Sequence, residues 1–235
     1  MADKSKQAAA LALARSARTE TFADIASHDL REPLRGIAIN AQFLREEPLS
    51  EAAQARVERM LTLTRRMEEM IDDLHTLSQL ERVQATDDSV DSVAIIASIG
   101  EQLDGDVRVV GPLPHVRADR TSVTVLLKAV IQNGLLYNDA PQKLVEISFA
   151  REVDVDGRQV TNAFCVKDNG IGINELDREY IFRFFRRLPN SDTYGPGRGT
   201  GLAFSRKIVE SHGGEMTFTS AQGDGTTFLF QLPLA

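Results

Sequence analysis

The segment QVTNAFCVKDNGIGI, residues 159–173, decides how the second half of this 235-residue chain folds. Alternating apolar and polar residues lead up to Asp168, which is typical of a β-strand. Gly170 and Gly172 follow, and glycine lets a backbone turn sharply and approach a ligand closely. The carboxylate of Asp168 can accept a hydrogen bond from an exocyclic amine such as that of adenine. The segment therefore predicts a strand that ends at a turn suited to a ligand.

Further strands and helices surround this segment in the sequence. KLVEISFAREV precedes it across DVDG, and GEMTFTS and GTTFLFQLPLA flank AQGDG, so two hairpins are predicted. An apolar stretch from Asp119 to Tyr137 and another from Leu202 to His212 indicate helices. Residues 88–235 are therefore predicted to form one sheet with helices over one face.

Two other segments of this half carry residues suited to phosphate chemistry. In AVIQNGLLYND, Asn133 offers a neutral oxygen to a Mg²⁺ ion that also binds phosphate oxygens. In GPGRGTGLAFSRKIVESHGG, glycines precede a helix whose free N–H groups suit phosphate. These glycines are Gly197, Gly199 and Gly201. Each cluster alone is weak evidence, but three such segments in helix, strand and helix contexts are strong evidence together.

The first 83 residues contain almost no glycine and are predicted to form two helices. The apolar seam of the first helix is Leu30, Leu34, Ile37, Ala41 and Leu44. Pro48 breaks the pattern, and Ser50 can cap the next helix. Its heptad-like seam is Val57, Met60, Thr64, Met67, Ile71, Leu74 and Ser78. One antiparallel hairpin buries each seam against a single partner, so a homodimeric four-helix bundle is expected.

The segment SHDLREPLRG, residues 27–36, places a histidine on the first helix. His28 lies about 200° around the helix from Leu30, so its imidazole is expected to face water. Pro33 has no N–H to donate to the carbonyl of Asp29, which predicts a bend beside the histidine. These residues alone leave open whether His28 is functional or an ordinary surface histidine beside a kink.

The composition excludes several classes of protein. A net charge of -7 argues against a broad nucleic-acid surface. The single cysteine, Cys165, cannot form an internal disulfide, so a reducing, cytoplasmic setting is expected. No apolar run approaches the roughly 20 residues that a membrane span needs. The N-terminal KSKQAAALALARSA is rich in helix formers, and a helical arm is expected there rather than a signal peptide.

From about residue 20 to the end, these motifs resemble the transmitter core of a sensor histidine kinase, in the ATPase superfamily shared with gyrase, Hsp90 and MutL. HDLREPLR and FRRL are most similar to the kinases coupled to phytochromes. The resemblance implies an α+β chain: a helical hairpin that forms a dimeric four-helix bundle, then an α/β-sandwich ATP-binding domain of the Bergerat type. The expected domains are a helical arm at 1–20, a dimerisation and histidine phosphotransfer hairpin at 21–83, a linker at 84–91 and the ATP-binding domain at 92–235.

The resemblance also implies a role for each motif residue. His28 would be the phosphorylated residue and Asp29 its base. Asn133 would bind Mg²⁺, and Tyr137 would lie on the adenine side. The other implied ATP contacts are Asp168 as the adenine reader, Arg187 near the terminal phosphate, Thr226 through water, and Gly170, Gly172, Gly197, Gly199, Thr200, Gly201 and Leu202 in the glycine boxes.

The implied reaction is ATP-dependent autophosphorylation of His28, followed by transfer to an aspartate on a response regulator receiver domain. An upstream sensor domain or sensor protein is also implied, and residues 174–198 are expected to act as a lid. The competing interpretations are a molecular-clamp ATPase of the same superfamily, a phosphotransfer or scaffold protein with an impaired ATP site, and a kinase of the anti-sigma type. The histidine motif argues against the molecular-clamp ATPase. The intact glycine boxes argue against an impaired ATP site, and the long hairpin argues against the anti-sigma type.

Three positions depart from the family pattern. Ala129 stands where a second asparagine is common, and Leu136 stands where a basic residue is common. Either phosphate binding is weaker than in the family, or Lys128 or a lid arginine compensates. Glu32 replaces the threonine or asparagine that positions water for dephosphorylating the partner. Partner phosphatase activity, the input signal, and the cis or trans course of autophosphorylation stay open.

Overall fold

The computed structural model describes residues 30–80, 89–186, 191–194 and 199–235. The predicted helical arm at 1–20 lies outside these residues, and so do His28, Asp29, Arg187 and Gly197. The chain divides into two compact units, Met1–Arg82 and Val83–Ala235. Among the described residues, no helix combines the length and the apolar character that crossing a bilayer requires.

The first unit contains two helices, α1 over residues 30–46 and α2 over Glu51–Leu80. Arg31 pairs with Asp72 at 2.9 Å, and Arg45 approaches Glu58 at 4.0 Å, so the helices run antiparallel. The Oγ of Ser50 accepts the N–H of Ala53, as expected of a residue that caps α2. The predicted helical hairpin is confirmed.

The apolar seams of α1 and α2 each divide into an inner and an outer set. The buried members are Leu34, Ala41, Val57, Thr64 and Ile71. Leu30, Ile37, Leu44, Met60 and Met67 are instead 42–50% exposed. Within each helix, the members of one set are seven residues apart, so each set forms its own stripe. The hairpin therefore packs on one stripe and leaves a second apolar stripe uncovered.

The second unit contains a sheet covered by helices. Its helices are α3 (Ser92–Gly100), α4 (Arg120–Leu136) and α5 (Gly201–Ser211). Its strands are β1 (Ser89–Val90), β2 (Asp106–Val109), β3 (Val116–Arg117), β4 (Leu144–Val155), β5 (Arg158–Asp168), β6 (Met216–Ala221) and β7 (Gly225–Gln231). The five-stranded sheet has the order β2-β4-β5-β7-β6, with β2 parallel to β4 and all other neighbours antiparallel.

The strand β1 lies inside the segment predicted as a linker, residues 84–91. Ser89 and Val90 pair with Arg117 and Val116 of β3. The side chain of Asp91 then accepts the N–H groups of Val93 and Ala94 and caps α3. The folded part of the second unit therefore includes residues 89–91, and the predicted start at residue 92 is three residues late.

The sheet holds the core together through alternate side chains. Phe164 and Phe230 stack with ring centroids 5.5 Å apart, and both are 1% exposed. α4 and α5 pack against each other and against the sheet. This packing fixes the C-terminal end of α4 and the N-terminal end of α5 relative to the end of β5, where Asp168 lies.

Candidate nucleotide-binding site

Asp168 is the last residue of β5 and is only 6% exposed. Its Oδ1 accepts two backbone hydrogen bonds, from Gly170 N–H at 2.9 Å and from Thr226 N–H at 3.0 Å. Burial raises the pKa of the Asp168 carboxyl above its ordinary value, and the two N–H donors lower it in part. The carboxylate is therefore held in one orientation with its second oxygen, Oδ2, accepting neither of these bonds.

The two glycines that follow Asp168 are required by close backbone contacts. A Cβ on Gly170 would lie 2.4 Å from the carbonyl oxygen of Tyr137. Gly172 has φ 70°, and a Cβ there would lie 2.1 Å from the carbonyl oxygen of Ala221. Ile171 also donates its N–H to the Tyr137 carbonyl at 3.0 Å. The turn that follows Asp168 thus packs closely between the end of α4 and the end of β6.

Thr226 reaches the same turn from β7, together with Ser220, a residue that sequence reasoning missed. Ser220 Oγ lies 3.0 Å from Thr226 Oγ1 and accepts the N–H of Ile173 at 2.8 Å. It donates to the carbonyl of Gly225 at 2.9 Å. Ser220 is 47 residues from Ile173 in the sequence, and no local pattern signals this contact.

The second glycine segment forms the N-terminus of α5. Asp91 and Asp119 cap α3 and α4 with their side chains, whereas Thr200, the N-cap of α5, makes no such capping bond and is 3% exposed. Gly199 has φ 70°, and a Cβ there would lie 2.6 Å from the carbonyl oxygen of Arg186. Thr200 therefore gives no side-chain cap to the first N–H groups of α5, around Gly201, a feature that this helix shares with anion-binding helix ends.

Asn133 lies on the side of α4 that faces this glycine segment. A Cβ on Gly201 would lie 3.4 Å from the Cβ of Ala129. Asn133 is one helical turn beyond Ala129 and shares its face. The departure at Ala129 thus places a methyl group beside Gly201, and the amide of Asn133 lies one helical turn further along this face. Leu136 is half-buried and Lys128 is exposed.

The structure therefore brings five of the predicted binding residues into one neighbourhood. Tyr137, Asp168, Gly170, Gly172 and Thr226 meet through the contacts described above. Leu202 is the half-buried second residue of α5, next to Gly201. Arg187 and Gly197, which lie outside the described residues, stay predictions.

Two protein families match the chain. The family of histidine kinase-, DNA gyrase B- and HSP90-like ATPases matches residues 118–235, and the His Kinase A (phospho-acceptor) domain matches residues 18–83. The two matches cover the glycine boxes and the HDLREP segment respectively.

Curated relatives are similar to this chain in sequence, and a solved structure is similar to it in fold. Cyanobacterial phytochrome B of Nostoc sp. is 39% identical over 91% of this chain, and the match covers 29% of the relative. Methanogenesis regulatory histidine kinase FilI of Methanothrix harundinacea is 32% identical over 94% of this chain and 25% of the relative. The chain therefore spans less than a third of these proteins. The crystal structure of full-length ShkA in complex with AMPPNP matches 91% of this chain and 45% of that one, with a TM-score of 0.61 and 23% identity.

Proposed function

This chain belongs to the histidine kinase family, and on that basis we propose that it uses ATP bound at Asp168 to phosphorylate its own His28. It is a two-component histidine kinase core, with a phospho-acceptor domain and an ATPase domain of the histidine kinase type. The observation that carries the proposal is the buried Asp168 carboxylate, fixed by Gly170 and Thr226. It lies at the end of the strand that leads into the first glycine box.

The adenine would bind against Asp168. Both backbone N–H groups end on Oδ1, so Oδ2 is the oxygen that would accept the exocyclic amine of adenine. Thr226 Oγ1 would support a bridging water, because Ser220 already orients this hydroxyl. Tyr137 would line the adenine side, since its backbone is bonded to the same turn.

The triphosphate would bind at the N-terminus of α5. The N–H groups of its first turn, which the Thr200 side chain does not cap, and the positive end of the helix dipole would stabilise phosphate charge. Asn133 fits a Mg²⁺ ligand because a neutral amide oxygen is a hard donor on the face of α4 that meets Gly201. When bound, Mg²⁺ would neutralise charge that builds up on the phosphate oxygens.

His28 would receive the terminal phosphoryl group. Asp29 would accept the N–H of one imidazole nitrogen, which leaves the lone pair of the other nitrogen free to attack the γ-phosphorus. The new nitrogen–phosphorus bond forms as the bond from the γ-phosphorus to the bridging oxygen breaks, ADP leaves, and the proton of the other imidazole nitrogen passes to Asp29. The phosphoryl group would then pass to an aspartate on a response regulator receiver domain, and an upstream sensor would control both steps.

The hairpin would dimerise through its uncovered stripe. Leu30, Ile37, Leu44, Met60 and Met67 are large, apolar and 42–50% exposed in a single chain. A second hairpin would bury this stripe in a four-helix bundle, and exposed apolar surface of this kind favours association. Dimerisation is also what the matched phospho-acceptor domain implies.

Asn133→Asp should weaken Mg²⁺–ATP binding by about 1–2 kcal/mol, because it places a negative charge beside the triphosphate. The effect should be larger without Mg²⁺, since the metal offsets the repulsion. Calorimetric titration of the parent and the variant with ATP, with and without Mg²⁺, measures both. Asn162→Asp is the matched control, because Asn162 is an exposed residue of β5. Parent-like affinity in Asn133→Asp under both conditions would remove Asn133 from the phosphate site.

As the pH falls, nucleotide binding is expected to begin to weaken at a higher pH than it would with an aspartate of ordinary pKa. Burial raises the pKa of Asp168 in the free protein. An adenine amine stabilises the charged carboxylate, so a protonated Asp168 must release its proton to bind. Affinity should be constant above the raised pKa and should fall by about tenfold per pH unit below it.

Titrations of ADP at a series of pH values test this dependence. The ionisations of ADP itself affect binding to the parent and to Asp168→Asn equally. Only the parent has a carboxyl at this position. The ratio of parent to variant affinity should therefore fall as the pH falls. A ratio that does not change with pH would show that Asp168 does not bind the nucleotide as a carboxylate.

A further inference from the structure

Tyr194 connects one short segment of the chain to the end of α4. It is the last residue of a 3₁₀ turn, Ser191–Tyr194, which lies between the two glycine boxes in the sequence. Its hydroxyl donates a 2.8 Å hydrogen bond to Oδ2 of Asp139. Its ring meets the ring of Tyr137 edge to face, with centroids 5.6 Å apart and planes at 61°. Two different contacts therefore attach the turn at one place.

The residue that Tyr194 contacts is itself bonded to the Asp168 turn. The carbonyl of Tyr137 accepts the N–H of Ile171, and Gly170 lies so close that an added Cβ would come within 2.4 Å of this carbonyl. The Tyr194 ring thus packs on the side chain of a residue whose backbone supports the Asp168 turn. This argument rests on the proposed function, which places adenine against Asp168 and Tyr137.

We propose that Tyr194 is a positioning residue that holds the Ser191–Tyr194 turn against the adenine side of the site and slows the release of bound nucleotide. Replacing Tyr194 by phenylalanine removes the hydrogen bond to Asp139 and keeps the aromatic contact with Tyr137. Bonding to Asp139 raises the pKa of the Tyr194 hydroxyl above its ordinary value, as expected of a hydroxyl that donates to a carboxylate.

Sequence reasoning did not identify this pair. Tyr194 and Asp139 are 55 residues apart. Asp139 ends the segment AVIQNGLLYND, but the resemblance gives it no role. Tyr194 falls in the segment expected to act as a lid, outside the glycine boxes. The contact appears only when the end of α4 and this turn are folded next to each other.

The test is the dissociation rate of a fluorescent ATP analogue, measured by chasing the bound analogue with excess ATP. Tyr194→Phe should speed dissociation by about threefold to tenfold, the range for losing one ordinary hydrogen bond, because Asp139 is exposed and water screens its charge. Asp139→Ala should have the same effect, and the double variant should be no faster than either single variant. Tyr194→Leu, which also loses the ring contact, should be faster still.

Matched controls separate this role from general destabilisation. Glu215→Ala, like Asp139→Ala, removes an exposed carboxylate that accepts a hydrogen bond, but its partner Arg158 is at the opposite end of β5 from Asp168, so this variant should dissociate like the parent. Melting temperatures of all variants should stay close to that of the parent. In steady-state labelling, the Tyr194 variants should change KM for ATP rather than the rate at saturating ATP.

The outcomes distinguish the role of Tyr194 from the proposed function on which that role depends. A parent that does not bind the analogue would overturn both. A parent that binds it, together with parent-like dissociation from Tyr194→Phe and Asp139→Ala, would overturn the role of Tyr194 alone. Additive effects in the double variant would also contradict the direct pairing of these two side chains.

Discussion

Asp168→Asn should weaken the binding of ATP by about 1.5–3 kcal/mol, or roughly 10-fold to 150-fold, the range for a hydrogen bond to a charged group. Asp168 Oδ1 holds the two backbone N–H groups of Gly170 and Thr226, and an asparagine oxygen can still accept them. The new NH₂ group would then occupy the place of Oδ2. It would point a donor at the donor of adenine, so the variant loses an attraction and gains a repulsion.

Calorimetry with Mg²⁺–ATP measures this loss directly. Asp168→Asn should keep the fold, because the shape and the two backbone bonds of the side chain are retained. Asp104→Asn, a change at an exposed aspartate, is the control for loss of one negative charge. GTP, whose guanine carries an oxygen where adenine has its amine, should discriminate less between parent and variant. Equal ATP affinity for parent and Asp168→Asn would mean that the adenine binds elsewhere.

The elements that follow from the sequence are those with a local cause. Asp119 accepts the N–H of Ser122 and begins α4 where the apolar stretch begins, and Tyr137 ends it. The DVDG turn joins β4 to β5, with Gly157 at φ 82°. Each depends on residues within a few positions of one another, so capping and turn chemistry were enough to predict them.

The features that could not be predicted depend on distant residues. Thr226 and Asp168 are 58 residues apart, and their bond exists only because β7 pairs with β5. Ser220 reaches the same turn from the edge strand β6. The two-residue strand β1 is too short to show a period, so its segment resembled a linker in the sequence.

The hairpin shows that a correctly recognised apolar pattern does not by itself identify which of its residues are buried. The spacing of Leu30, Leu34, Ile37, Ala41 and Leu44 indicates one apolar seam, and the helix does carry it. Only the fold shows that Leu34 and Ala41 pack inside the hairpin while the other three remain exposed. Periodicity indicates which residues lie on one side of a helix, but it does not indicate how many other helices pack against that side.

Transfer of the terminal phosphate of ATP to His28 is the central claim, and His28→Gln should abolish it. Glutamine is similar in size and polarity to histidine but has no nitrogen lone pair that can attack phosphorus. The expected effect is complete loss of label rather than a fractional change. His115→Gln is the matched control, because His115 is an exposed histidine of the second unit that bonds to Ser89.

The decisive measurement is incubation of the purified chain with Mg²⁺ and ATP labelled on its γ-phosphate, followed by acid and alkali treatment of the labelled protein. The account predicts label that is lost in acid and kept in alkali, as a phosphoramidate requires, present in the parent and in His115→Gln and absent from His28→Gln. Label that persists in His28→Gln would contradict the assignment of His28. A parent that binds ATP but takes up no label would contradict the kinase activity and favour a phosphotransfer or scaffold role.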